Sequence, residues 1–269
     1  DDPRMPTISG IRRRGYTPES LQLFAKRIGV AKAESLIDYE ILEGCVRDHL
    51  DEVAHRGMAV LNPIKVVIEN LPAAHREEVQ TAVHPKKPEL GKRTLPFTKE
   101  IYIDASDFME NPPADFFRLG PGKEVRLRNA YVIKCKEVIK DEKGQVKELR
   151  CDYDVATLGG KPTSDGRKVK GIVHWVSASE CINAEVRLYG RLFSVEDPNV
   201  VLEGKDFKSN LNPDSLQVIK NAKLEKGLAD AKVEQRYQFE RVGYFCLDSV
   251  DSKPGALVFN RTVELATGH

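Results

Sequence analysis

The stretch "GKEVRLRNAYVIKC", Gly122 to Cys135, decides the fold. Its alternation is that of a β-strand, in which successive side chains point to opposite faces. Val125 and Leu127 then share one face, and Arg126 and Arg128 the other. Such a strand covers a core with one side and turns a cationic side outward. The flanking charges are mostly positive as well, at Arg118, Lys123 and Lys134, with Glu124 as the nearby acid. A strand surface that holds this much positive charge fits an anionic partner and fits equally a solvated face with exposed ion pairs.

Outward from this stretch the chain keeps the same short, β-rich texture. The pattern predicts a hairpin of residues 124–140 and 145–155 across "DEKG", a strand over 168–177 after the turn "SDGR", and further strands over 183–194, 235–247 and 256–264. Val173 and Trp175 fall on one face, which places the single tryptophan in a core. "MAVLNPIKVVIEN", from Met58, has the β-branched content of strands and is interrupted at Asn62-Pro63. The segment between Leu71 and Phe97, with "HPKKPELGKR", is poorly patterned and predicts a surface connection. "NPDSLQVI" predicts a short helix or turn after Asn212.

The first 57 residues differ. Thr17 suits an N-cap and Pro18 a first helical position, Leu21, Phe24, Ala25 and Ile28 form an apolar stripe, and Gly29 follows Lys26-Arg27 as a stop. Asp38 predicts the cap of a second helix that buries Leu42, Val46, Leu50 and Val53. The fold class is therefore mainly β with an N-terminal α-helical segment, and short strands without long intervening helices favour barrels or sandwiches.

Composition narrows the function. A chain of 269 residues with 41% hydrophobic and 31% charged side chains can bury a core in each of two domains. No apolar run is long enough to cross a bilayer, and residues 1–30 lack a signal-peptide core, so a cytoplasmic setting is expected. Five scattered cysteines with no CxxC pair predict structural thiols rather than disulfides or a zinc site. The net charge of +1 excludes a uniformly basic coat; the basic residues instead gather in residues 1–30 and from Arg118 to Lys134.

Catalytic and metal chemistry find no support. "LGGKPTS" lacks the strand–loop–helix setting of a phosphate loop. Asp152 and Asp154 share a strand face with no third ligand, which describes a solvated face better than a metal pair. His174 reads as structural, and His84 as a loop histidine without a visible partner. No catalytic residue, metal ligand or cofactor site is predicted in this chain. Arginine forks on rigid strands, by contrast, suit phosphates and base edges. Gln238, within "RYQFERVGYFCLDS", can read a base edge through its amide. Gln238 and Arg241 are three residues apart, so sharing a ligand requires a bend between them, near Gly243.

"DDPRMPTISGIRRRGYTPESLQLFAKRIGV", "HRGMAVLNPIKVVIEN", "GKEVRLRNAYVIKC", "DGRKVKGIVHWVS" and "QFERVGYFCLDS" together resemble the bacterial glutaminyl-tRNA synthetases, in order from Asp1 to about Thr262. The HIGH and KMSKS signatures of that family's catalytic domain, which uses ATP and Mg, do not occur in these residues. The resemblance therefore implies the C-terminal half, inactive in aminoacylation by itself. It implies a helical subdomain (1–57), a proximal barrel (58–96 and 179–269) and a distal barrel (97–178), of the anticodon-binding type. It implies a monomer that binds a glutamine tRNA. Arg126 and Arg128 match contacts to the first anticodon base and its phosphate. Arg118 matches recognition of the third base, and Arg56, Gln238 and Arg241 match the pocket of the central uracil. Lys32 and Asp38 fall where the family meets the D-stem of the tRNA. Three positions depart from the expected pattern: Phe117 for a lysine, Asp115 for a glutamine, and Lys86 for an asparagine. Two alternatives stay open, the same half of an archaeal- or eukaryote-type glutamyl-tRNA synthetase and a stand-alone RNA-binding barrel.

Overall fold

Three helices precede the strands in the computed structural model, which describes residues 1–30, 32 and 35–266. They are α1 (Ile8–Arg14), α2 (Pro18–Ile28) and α3 (Tyr39–Val53). The strands of the middle of the chain are β1 (His55–Gly57), β2 (Ala59–Val60), β3 (Pro63–Ile68), β4 (Arg76–Ala82), β5 (Lys92–Thr98) and β6 (Glu100–Asp104). Then come β7 (Glu124–Leu127), β8 (Val132–Lys140), β9 (Val146–Asp154), β10 (Ile172–Val173) and β11 (Trp175–Ser177). The last are β12 (Ile182–Tyr189), β13 (Leu216–Leu224), β14 (Arg236–Phe239), β15 (Gly243–Leu247) and β16 (Val258–Glu264). They form two seven-stranded sheets and a two-stranded ribbon, so the protein is mainly β with its helices at the start.

The chain divides into two units. The first comprises Asp1–His55, Glu185–Lys220 and Lys232–His269, and the second Arg56–Ala184 and Asn221–Ala231. Residues 58–96 and 97–178 thus fall in the same unit, because β3 pairs with both β6 and β9.

In the first unit, α2 follows local rules. Thr17 and Ser20 complete a reciprocal capping box, and the helix ends at Gly29 with φ 71°. Asp38 caps α3 by accepting the Glu40 N–H, and Val46 and Leu50 bury one face of α3. That face packs with Ile11, Tyr16, Ala54, Tyr244 and Val263. The β14–β15 and β15–β16 pairs are antiparallel, and β16 pairs with β12 in parallel.

Asp248 lies fully buried beside that sheet. It takes two hydrogen bonds from the Arg13 guanidinium, at 2.9 and 3.1 Å, and one from Asn260 at 2.6 Å. Backbone N–H groups of Val250 and Asp251 also donate to it. Burial pushes its pKa up, but these donors outweigh it and hold the carboxyl at about 2.

The second unit carries one sheet in the order β10-β7-β8-β9-β3-β6-β11. Its edge strands, β10 and β11, are consecutive in the chain with only His174 between them, so the sheet closes on itself as a barrel. Phe97 sits at the centre of the core, with the Trp175 ring edge-on at 5.5 Å and Tyr131 at 5.1 Å.

Two expectations change and a third narrows. Residues 124–140 are two strands, because Asn129 adopts the left-handed conformation (φ 61°) and the chain turns between Leu127 and Tyr131. Residues 71–97 are largely the antiparallel ribbon of β4 and β5 rather than a connection; its solvated faces hide the alternation that would mark a strand. Beyond Asn212 the chain takes the turn, one of the two expected alternatives, and then enters β13.

Two outcomes follow. The carboxylate of Asp248 is stabilised by the fold, so its contribution is present above about pH 4 and lost as the pH falls through about 2. The stability difference between wild type and Asp248→Asn in urea titrations should narrow across that window by about 2 kcal/mol. In the second unit, a Cβ on Gly171 would lie 1.9 Å from the Phe117 carbonyl oxygen. Gly171→Ala should destabilise that unit by about 1–3 kcal/mol, read as a lower urea midpoint of Trp175 fluorescence.

Candidate nucleic-acid interface

Strand β7 turns Val125 and Leu127 into the barrel core and leaves Glu124 and Arg126 outside. Its one acid is engaged: the Glu124 carboxylate pairs with Arg167, which pulls its pKa below the usual range. The guanidinium of Arg126 donates to the Thr157 carbonyl at 2.9 Å and the Lys161 carbonyl at 3.0 Å. It thereby holds the 155–161 turn against the strand. Arg128 lies just past β7, and its backbone is held from two sides. Its N–H donates to the Val173 carbonyl, and its own carbonyl accepts from the Trp175 indole at 3.0 Å.

Arg118 reaches the same part of the second unit by another route. Gly171 passes close under the Phe117 carbonyl, and the Gly171 carbonyl accepts the Arg126 N–H at 2.8 Å. The segment carrying Phe117 and Arg118 therefore sits beside the β10–β7 edge. Arg118 is itself exposed, but its Nε lies 3.2 Å from the carboxylate of Asp107, which is 2% exposed. His174 stands 4.0 Å from the other oxygen of that carboxylate. Arg118, Arg126 and Arg128 are thus gathered in one corner of the second unit, with exposed Lys161, Lys168 and Lys170 on the extended chain between the 155–160 turn and β10.

The other predicted residues are placed as follows. Arg56, in β1, is buried, and its N–H donates to the Val83 carbonyl at 2.8 Å. Lys86 is exposed on the nearby ribbon loop, where its N–H donates to Nδ1 of His84 at 3.1 Å. His84 is therefore a buried, partnered histidine, not the loop histidine without partner that the sequence predicts. Gln238 and Arg241 belong to the first unit. The bend between them is a tight turn at residues 240–242, where Arg241 adopts φ 68° and the Val242 N–H donates to the Phe239 carbonyl. Gln238 donates from its amide to the Tyr244 hydroxyl at 3.1 Å. Asp38 caps α3 and lines a cleft of about 600 Å³ together with Arg4, Arg14, Tyr39, Arg191 and Phe193. Lys32 is exposed.

Among the described residues, no group of three or more His, Cys, Asp or Glu is placed to hold a metal ion. "LGGKPTS" lies in a 3-10 turn and the extended chain after it, not at a helix N-terminus, so it offers ATP phosphates no cradle. Asp152 pairs with Lys136 at 3.1 Å, and Asp154 caps the 155–160 turn. All five cysteines are free thiols, and burial pushes Cys246 up to about 11, which leaves it protonated and inert at neutral pH. Among the described residues no helix is long and apolar enough to cross a membrane.

Family models named as anticodon-binding domains of the class I tRNA synthetases for E and Q match residues 54–154 and 172–248. The chain belongs to this family. The glutamine–tRNA ligase of Cupriavidus necator is 56% identical over 265 residues, which cover 98% of this chain and 45% of that protein. Those of Stutzerimonas stutzeri and Vibrio parahaemolyticus are 55% identical over the same length and are 47% covered. The chain thus spans about half the length of the curated relatives it matches. The first family match spans Arg56, Arg118, Arg126 and Arg128, and the second spans Gln238 and Arg241.

Sequence reasoning missed two buried carboxylates of this anticodon-binding chain. Asp107 meets Arg118 and His174, and Glu225 accepts the Met58 N–H at 2.7 Å while pairing with Arg93 at 3.0 Å. No local pattern marks either one: His174 lies 67 residues from Asp107, Met58 and Arg93 lie more than 130 from Glu225, and the nearer pair of Asp107 with Arg118 spans an irregular loop. Arg126→Ala should release the 155–161 turn. Faster hydrogen exchange is expected at the Gly159 and Lys161 amides, with the β8–β9 amides unchanged.

Proposed function

We propose that this chain is the part of a glutamine–tRNA ligase that binds glutamine tRNA and reads its anticodon. The observation that carries this reading is the anticodon-binding family match over both 54–154 and 172–248, together with relatives named glutamine–tRNA ligase at 53–56% identity. The whole ligase would join glutamine to its tRNA with ATP and Mg. That chemistry lies outside the residues described here, whose part is to bind and to discriminate. The family description covers both E and Q; the glutamine names of the relatives favour glutamine over glutamate.

The physical basis is the readout of unstacked bases. A base splayed out of a loop exposes its Watson–Crick edge, which amides and guanidinium forks on rigid β-structure can meet with fixed geometry. In this reading Arg126 and Arg128 take the first anticodon base and its phosphate, Arg118 the third base, and Arg56, Gln238 and Arg241 the central uracil. Lys32 and Asp38 face the D-stem, and Lys86 lies at the edge of the anticodon site. The clamped backbone of Arg128 supports its assignment, since a fixed Cα leaves fewer side-chain positions to order on binding. The anchoring of Arg118 on buried Asp107 acts in the same way.

Binding should be measured for the chain with glutamine tRNA, with glutamate tRNA and with transcripts changed at each anticodon base, at two salt concentrations. Arg128→Ala should weaken glutamine tRNA by about 1–3 kcal/mol. Central-base changes should weaken the wild type while leaving its salt slope intact. Equal, steeply salt-dependent binding of all transcripts would leave only phosphate attraction and overturn the reading.

A further inference from the structure

Phe117 stands out on the surface of the second unit. It is 52% exposed, although its backbone is held closely. Two residues on, Leu119 is fully buried and donates its N–H to the Asp107 carbonyl at 3.0 Å. On the other side, Gly171 lies so close to the Phe117 carbonyl that no side chain fits between them. A fixed backbone carrying an exposed ring has the form of a platform. An apolar ring left to itself gains by folding away from water.

The surroundings of the ring are cationic. The Lys170 ammonium lies 4.8 Å from the ring centroid, within cation–π range. Gly171, next to Lys170, accepts the Arg126 N–H, so the ring and β7 share one edge of the barrel. Arg118 follows Phe117 directly, and its own guanidinium lies 5.8 Å from the Phe116 ring. Aromatic rings interleaved with cations are the arrangement by which proteins hold single-stranded nucleic acid, with rings meeting base faces and cations meeting phosphates.

We propose that Phe117, with Lys170 beside its ring, is a stacking subsite for one unstacked base of the bound RNA loop. This rests on the anticodon-reading function and adds a contact to a base face where the arginines address edges and phosphates. Lys170 then has two uses. It polarises the ring in the free protein, and it neutralises the phosphate of the stacked nucleotide in the complex.

The test uses this chain and an RNA hairpin that carries the anticodon stem and loop of a glutamine tRNA. A companion series has one loop nucleotide at a time made abasic. Phe117→Ala should weaken the intact hairpin about 5- to 100-fold, the usual weight of one base–aromatic stack, and Phe117→Trp should keep wild-type affinity. On one abasic hairpin, and on that one alone, the penalty of Phe117→Ala should fall to about twofold or less, since the lost partner is already missing. Unchanged Trp175 fluorescence and urea midpoint would show that the variants are folded. If Phe117→Ala binds the intact hairpin as wild type does while anticodon changes still weaken binding, the subsite is wrong and the function stands. An equal loss on every abasic hairpin would also overturn it, because the ring would then touch no base. Wild-type binding that ignores the anticodon would overturn the function, and the subsite with it.

Discussion

Closure of the second unit's sheet across His174 is the constraint on which its basic corner depends. A sheet edge left open exposes unpaired backbone groups, and a barrel removes them only where its first and last strands meet. Here those strands are β10 and β11, one residue apart in the chain. The seam fixes Arg128 from both sides: Val173 of β10 takes its N–H, and Trp175 of β11 donates to its carbonyl. The indole that makes this bond also lies edge-on to Phe97, so the clamp is anchored in the centre of the core. The linking residue extends the effect. His174 is buried beside Asp107, and Asp107 meets Arg118. Half-buried Arg128 and exposed Arg118 thus take their positions from the place where the barrel shuts.

Charge in this corner is arranged rather than accumulated. The whole chain carries a net charge of only +1. The acids close to the arginines have partners of their own: Glu124 is engaged by Arg167, and Asp107 is buried against Arg118 and His174. An acid paired in this way repels an incoming phosphate less than a free one, and it restrains the cation it holds. Arg126 is restrained differently, by two carbonyl oxygens that satisfy its donors without neutralising it. Arg118 and Arg126 therefore lose much of their side-chain freedom before any ligand arrives, and Arg128 has its backbone fixed.

What could be seen in the sequence follows from which signals are local. Thr17, Pro18 and Gly29 delimit α2 because capping, the missing proline N–H and the glycine stop all act within one turn of the helix. The inward alternation of Val125 and Leu127 is equally local and correct. Asn129 was not legible as a break, since asparagine tolerates the left-handed conformation without requiring it. β4 escaped notice because Val79 is its one buried side chain, which leaves no alternation to read. For the site, arginines on strands and a glutamine among aromatics suggested where to look. The partners that fix them, Asp107, Trp175 and the carbonyls of Thr157 and Lys161, are set by strand register and loop closure. For Arg126 and Arg128 those contacts lie 31 to 47 residues apart, and for Arg118 the partner is an acid eleven residues back across an irregular loop.

The segment from Asp115 to Arg118 shows how one binding surface can change its physics while keeping its frame. Compared with the glutamine and lysine that the family resemblance leads one to expect, Asp115 adds a negative charge and Phe117 removes a positive one. Attraction for phosphate at this point is weaker by two charges, and long-range attraction is the part that salt screens. An exposed ring supplies a different interaction, short-ranged, little affected by salt, and indifferent to the identity of the base it covers. In the proposed reading, selectivity at that position falls to Arg118, whose guanidinium is held by Asp107. Under the proposed anticodon reading, the segment separates two tasks that a lysine–arginine pair would share: the ring would hold a base, and the arginine would read it.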